Sequence, residues 1–228
     1  MNASDMAVPS AGPFQWPHGS VPHDLEFLCA GITRRLADDP HRRVIIGLVG
    51  EPGAGKSTLA RELVIKLEGA AALVPMDGFH LSNQVLEQLG RRNRKGAPDT
   101  FDAHGFVHLV SRLRYREEDI VYAPNFLREL DESVAAAIAV HRSTPIVILE
   151  GNYLLLDEPP WHNVRQYLDT AWYVDLERTV RLHRLAERHQ SLGRAPAEAK
   201  SWATTQDETN ANLIRETRRR AGLIITMQ

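Results

Sequence analysis

The sequence predicts an α/β protein: a mostly parallel sheet covered by helices on both faces, with an arginine-rich helical lid. Short continuous apolar runs alternate with segments of helical periodicity. Strands apolar on both sides belong to sheets buried on both faces. Residues 50–57 read GEPGAGKS, a complete G-x-x-x-x-G-K-[ST] phosphate-binding loop set between such a run and such a helix. Arg181, Arg184 and Arg188 then fall at i, i+3 and i+7 on one narrow face of a later helix.

Residues 1–22 hold four prolines (Pro9, Pro13, Pro17, Pro22) and little periodicity, and read as an N-terminal arm laid over the surface. Residues 23–228 read as one domain that includes the lid, at about 177–201. Its first helix is expected over 23–38, with Leu25, Leu28, Cys29, Ile32 and Leu36 inward; Asp38-Asp39-Pro40 ends it. Val44 to Val49 form the strand before Gly50, and the helix after the loop turns Leu59, Leu63, Val64 and Leu67 to one side. This order of strand, glycine turn and helix is that of a P-loop NTPase-type sheet. A strand over 70–76 ends at Asp77-Gly78-Phe79-His80, and residues 90–105 read as a long loop, of the kind that is usually functional or disordered. A helix over 102–115, a strand near 119–123, a helix over 131–141 and a strand over 146–149 follow. A strand at 171–174, the arginine-rich helix from Glu177, a helix near 205–220 and a strand over 223–226 close the chain.

The 228 residues, 43% hydrophobic and 25% charged, are enough for a sizeable core. A net charge of −2 provides no general attraction to nucleic acid, so a basic site must be local. A single cysteine excludes a disulfide framework and suits a reducing cytoplasm, and no stretch has the length of a membrane span. The sequence leaves open whether the chain forms a homodimer.

The glycines of the loop let backbone N–H groups close round phosphates, and the helix that follows presents its positive end there. Gly50, Gly53, Ala54, Gly55, Lys56, Ser57 and Thr58 are thus the nucleotide-binding set; Lys56 reaches the β- and γ-phosphates and Ser57 ligates Mg²⁺. Asp77, at the carboxyl end of a strand, suits a general base for an attacking hydroxyl; the alternative is a turn cap before glycine. Glu150, ending Ile146 to Leu149, sits where such sheets place a metal-organising acid, able to order a Mg²⁺-bound water or the acceptor hydroxyl. Lid arginines can neutralise a transferring phosphoryl group. The basic loop Arg91, Arg92, Arg94, Lys95 could receive an anionic acceptor or nucleic acid, or be merely charged. His104 and His108 have the i, i+4 spacing of metal ligands but lack an H-E-x-x-H pattern.

GEPGAGKST, MDGFH at 76–80, RKGAPDTFD at 94–102, YAPNFLRE at 122–129 and VILEGNYLL at 147–155 together resemble the uridine kinase, phosphoribulokinase and pantothenate kinase group. Within it, the bacterial fructose transport system kinases are the nearest in pattern. The resemblance implies an ATP- and Mg²⁺-dependent kinase that phosphorylates a hydroxyl of a small metabolite. A fructose-like sugar stands ahead of pantothenate- or nucleoside-type acceptors, and a regulatory ATP-binding protein without acceptor phosphorylation is the alternative. By that resemblance Asp77 is the catalytic base, Lys56 the phosphate ligand and Arg184 and Arg188 the lid. Arg128, His80, Asp77 and Glu150 line the acceptor side.

Overall fold

The computed structural model describes residues 15–17 and 19–228. Six parallel strands form the sheet: β1 (Ser20–Pro22), β2 (Val44–Val49), β3 (Ala71–Pro75), β6 (Ile146–Glu150), β7 (Thr170–Asp175) and β8 (Leu223–Thr226), in the order β1-β8-β7-β2-β6-β3. A separate antiparallel hairpin pairs β4 (Ile120–Leu127) with β5 (Glu132–His141). The helices are α1 (Leu25–Asp38), α2 (Lys56–Lys66), α3 (Asn83–Gln88), α4 (Ala103–Tyr115), α5 (Arg178–Ser191), α6 (Pro196–Thr204) and α7 (Gln206–Glu216). No helix among the described residues is long and apolar enough to cross a membrane.

Alternation along β2 divides the core. Val44, Ile46 and Leu48 face α1 and α2, meeting Leu28, Ile32, Leu59 and Leu63. Ile45 and Val49 face the other side, where α4 supplies Phe106, Leu109, Val110 and Leu113. Both faces are buried, which is why the run is apolar throughout. The first helix starts at Leu25, capped by Asp24, whose side chain accepts from Phe27 N. Within the stretch read as an arm, Ser20 to Pro22 pair in parallel with Ile224 to Thr226 at the sheet edge, and Trp16 packs edge-on against Trp172, 4.7 Å between centroids. Residues 1–14 and 18 lie outside the described residues.

One element differs in kind. The helix expected over 131–141 is strand β5. Ile138 and Val140 pair with Ala123 and Val121, and all four turn to the core with the period of two that a half-buried strand requires. The alanines between them mimic a helix former, but Ala136 lies at φ 55° and Asp131 at φ 50°, a break and a turn that no helix accommodates. The long loop over 90–105 is ordered by two short 3₁₀ turns, Arg92–Arg94 and Pro98–Thr100, and a bridge between His80 and Phe101.

Candidate active site

The carboxyl ends of β2, β3, β6, β7 and β8 converge on one edge, where ligands of open α/β sheets bind. Register brings the expected residues together. Glu150 lies opposite both Leu48 and Pro75, between the glycine loop after β2 and the 3₁₀ turn Met76–Phe79 after β3. Gly53 takes φ 82°, and a side chain there would come within 2.8 Å of Leu185 and 3.1 Å of the Arg181 carbonyl. Glycine is thus what lets α5 lie directly on the phosphate loop.

Lys56 is buried at the start of α2 and donates to the Glu51 carbonyl at 3.1 Å. Burial pulls its ammonium below the usual lysine range, opposed by Glu150 and Asp77 beside it. Burial likewise pushes Glu150 up, against the pull of Lys56 and a hydrogen bond from the Ser57 hydroxyl. Asp77 therefore stands within electrostatic reach of Lys56, Glu150 and Arg188, so strand ends and lid share one centre. The hairpin backs the turn that carries Asp77: a Cβ on Gly78 would collide with the Pro124 carbonyl, so only glycine allows β4 to pass this close.

His80 stacks between Phe101 and Phe126, with centroids 4.0 and 4.8 Å away, and its Nδ1 lies 2.8 Å from the Asp77 carbonyl. A carbonyl only accepts, so Nδ1 carries the proton and Nε2 keeps a lone pair. Burial lowers the imidazole pKa further, despite Asp77 nearby, which favours that neutral form. Tyr153, which the sequence did not single out, is buried in the same wall and donates to the Gly96 carbonyl at 2.5 Å. It fastens the 90–105 loop to the end of β6.

The lid arginines separate into two groups. Arg188 is half-buried and faces Arg128, Asp207, Asp77 and Glu150; Arg184 donates to the Gln228 carbonyl at 3.1 Å and lies beside Gly55. Arg181 is fully buried and points instead into an ionic network at the root of the lid. It pairs with Glu51 at 2.8 Å and with Glu208. Arg215 makes two bonds of 2.9 Å to Glu51, and Arg178 bonds Glu208 at 3.0 Å. Glu51 occupies a variable position of the glycine motif, and its partners lie far along the chain, so no local pattern announces this network.

One expectation loses its support. The basic loop is already neutralised: Arg91 and Arg94 pair with Asp99, Arg92 with Asp131, and Lys95 with Asp131 and Asn83. Among the described residues no three His, Cys, Asp or Glu side chains are grouped to hold a metal ion, so His104 and His108 gain no further ligands. A magnesium ion bound with nucleotide phosphates needs only one or two protein oxygens, and the adjoining Ser57 hydroxyl and Glu150 carboxylate fit that requirement.

Comparison with known proteins gives the family and the fold. Residues 45–227 match the model of the phosphoribulokinase / uridine kinase family. A candidate uridine kinase of Schizosaccharomyces pombe, C227.14, is 35% identical over 181 residues, 75% of this chain and 77% of its own. The Escherichia coli protein YggC is 32% identical over 194 residues, covering 83% of this chain and 80% of its own. A crystal structure from Silicibacter sp. TM1040, of a candidate fructose transport system kinase, superposes with a TM-score of 0.78 at 37% identity over 88% of this chain and 98% of that one.

Proposed function

We propose, because the chain belongs to the phosphoribulokinase / uridine kinase family, that it moves the γ-phosphoryl group of ATP to a hydroxyl of a small carbohydrate-like metabolite. The observation that carries this reading is the meeting of Lys56, Asp77, Glu150 and Arg188 at the carboxyl edge of the sheet. The glycine loop and Lys56 hold the phosphates. Asp77 accepts the hydroxyl proton as the acceptor oxygen bonds to the γ-phosphorus and the bond to the β–γ bridging oxygen breaks, releasing ADP. Arg184 and Arg188 neutralise charge on the group in flight. Ser57 and Glu150 would hold Mg²⁺, which supplies charge neutralisation at the phosphates when bound. His80 and Arg128 orient the acceptor. Residues 23–228 act as one kinase domain whose lid is built from α5 and α6, and a reducing cytoplasm suits its one buried thiol, Cys29.

ADP formation from Mg·ATP against sugars, polyols, sugar acids, nucleosides and pantothenate, with Lys56→Ala as the blank, tests the reading. Stimulation by one class, absent from the blank, is the expected result. ATP binding with no acceptor-stimulated turnover would make the chain a nucleotide-binding regulator instead.

A further inference from the structure

A second cavity opens away from the catalytic groups. It holds about 560 Å³ and lies between the 90–105 loop, the start of α4, residues 156–161 and α7. Its walls are apolar: Phe101 and Trp161, with ring centroids 5.9 Å apart, are joined by Leu81, Leu156 and the exposed Leu213 of α7. Lys56, Asp77, Glu150 and Arg188 line no part of it. A concave apolar site of this size, with a few polar groups at its edge, is the usual form of a small-molecule pocket.

The polar groups at its edge are unevenly satisfied. Asp99 is paired with both Arg91 and Arg94. Asp102 and Glu158 line the same cavity and form no ion pair among the described residues. Asp102 accepts from Gly105 N at 2.8 Å as the cap of α4, and the Glu158 carboxylate accepts no hydrogen bond among those residues. With His104 neutral, the lining offers two uncompensated carboxylates beside two aromatic rings. That combination attracts a cation with an apolar body and repels an acid.

The cavity adjoins the turn that bears Asp77 through hydrogen-bonded backbone. Leu81 N donates to the Thr100 carbonyl at 3.0 Å and Asp102 N to the Phe79 carbonyl at 2.8 Å, so both walls belong to one short ladder. Phe101 is shared: it lines the cavity, and its ring stacks on His80 at 4.0 Å. We propose that the cavity is a second ligand site, for a small amine with an aromatic or branched apolar body, whose occupancy alters acceptor binding through Phe101 and His80. Binding there is independent of the kinase reading; its effect on the acceptor rests on that reading.

The probes share one skeleton: phenethylamine, phenethyl alcohol and phenylacetate, with ethylamine as the cation that lacks the ring. Calorimetry on the full chain should show phenethylamine binding at least about tenfold tighter than each of the others. Asp102→Asn combined with Glu158→Gln should reduce its affinity to that of the alcohol. The melting temperature should stay unchanged, because asparagine still caps α4. With ATP and a stimulating acceptor, saturating phenethylamine should change acceptor KM by about threefold or more, reach a plateau and leave the KM for ATP unaltered. No heat from the amine at about 10 mM, equal binding of amine and alcohol, or undiminished binding by the double variant would overturn the proposal. An acceptor KM that rose without limit would overturn it too, by putting the amine in the acceptor site, and a KM constant at saturation would overturn the coupling. Absence of any acceptor-stimulated turnover, with the amine still bound, would remove the kinase reading and with it the coupling, while upholding the site.

Discussion

The lid meets the body of the protein in two places, and they treat charge in opposite ways. At its root, Arg178, Arg181 and Arg215 interleave with Glu51 and Glu208, each carboxylate held by at least two guanidinium groups. One turn further along α5, Arg184 bonds the main-chain oxygen of Gln228, and Arg188 stands among the charges of Arg128, Asp207, Asp77 and Glu150 with no ion pair among the described residues. The sequence of the helix does not distinguish these arginines. Their partners do: carboxylates saturate the arginines that tie α5 to the phosphate loop, and in the proposed function the others meet the ligand.

Paired substitutions sharpen this contrast most. Arg188→Ala should lower kcat by about 10²–10³-fold, with the melting temperature unchanged. Arg181→Ala removes the buried guanidinium while Arg215 still holds Glu51 and Arg178 and Arg215 still hold Glu208, and it should cost about 1–3 kcal/mol, seen as a melting temperature lower by about 2–12 °C. If both variants lost turnover with equal stability, the division of the lid would be mistaken. Gly53→Ala comes next. Its Cβ would press on Leu185 in a backbone conformation at φ 82°, and calorimetry should record a loss of about 1–3 kcal/mol together with weaker ATP binding.

A pH dependence gives a smaller effect. Desolvation works against the Glu208 charge, yet hydrogen bonds from Arg181 and Arg178 outweigh it and hold the carboxyl at about 2, below its ordinary 4.5. A depressed carboxylate stabilises the fold above its unfolded value and loses that contribution as pH falls through the folded one. The melting temperature should therefore drop between about pH 4.5 and 2 more steeply in the wild type than in Glu208→Gln. The smallest effect belongs to the basic loop: Arg92→Ala breaks an exposed pair with Asp131 and should cost at most about 1 kcal/mol, with acceptor turnover unaltered. A large loss of turnover there would return the loop to the acceptor site.

What could be read in advance follows from the range of the interactions. The buried strands declare themselves because both faces are apolar, and Asp77 and Glu150 because each ends such a run at the ligand-binding edge. The hairpin was obscured by its own alanines: with Ala135, Ala136, Ala137 and Ala139 exposed, only Ile138 and Val140 carry the strand period. The ionic network at the root of the lid is illegible for a different reason. Glu51 and Arg215 lie 164 positions apart, and nothing in either neighbourhood marks them as partners. His80 was visible as part of a motif, while its aromatic sandwich depends on Phe101 and Phe126, brought together only by the folded loop and hairpin.

In the proposed reaction Asp77 serves the acceptor and Lys56 the nucleotide. It is tested most directly by titrating ATP into Asp77→Asn and measuring its acceptor-dependent ADP formation on the same preparation. Nucleotide affinity should stay within about threefold of wild type while turnover falls by about 10²–10⁴-fold. Near-normal turnover in Asp77→Asn would contradict it and remove Asp77 from the role of base.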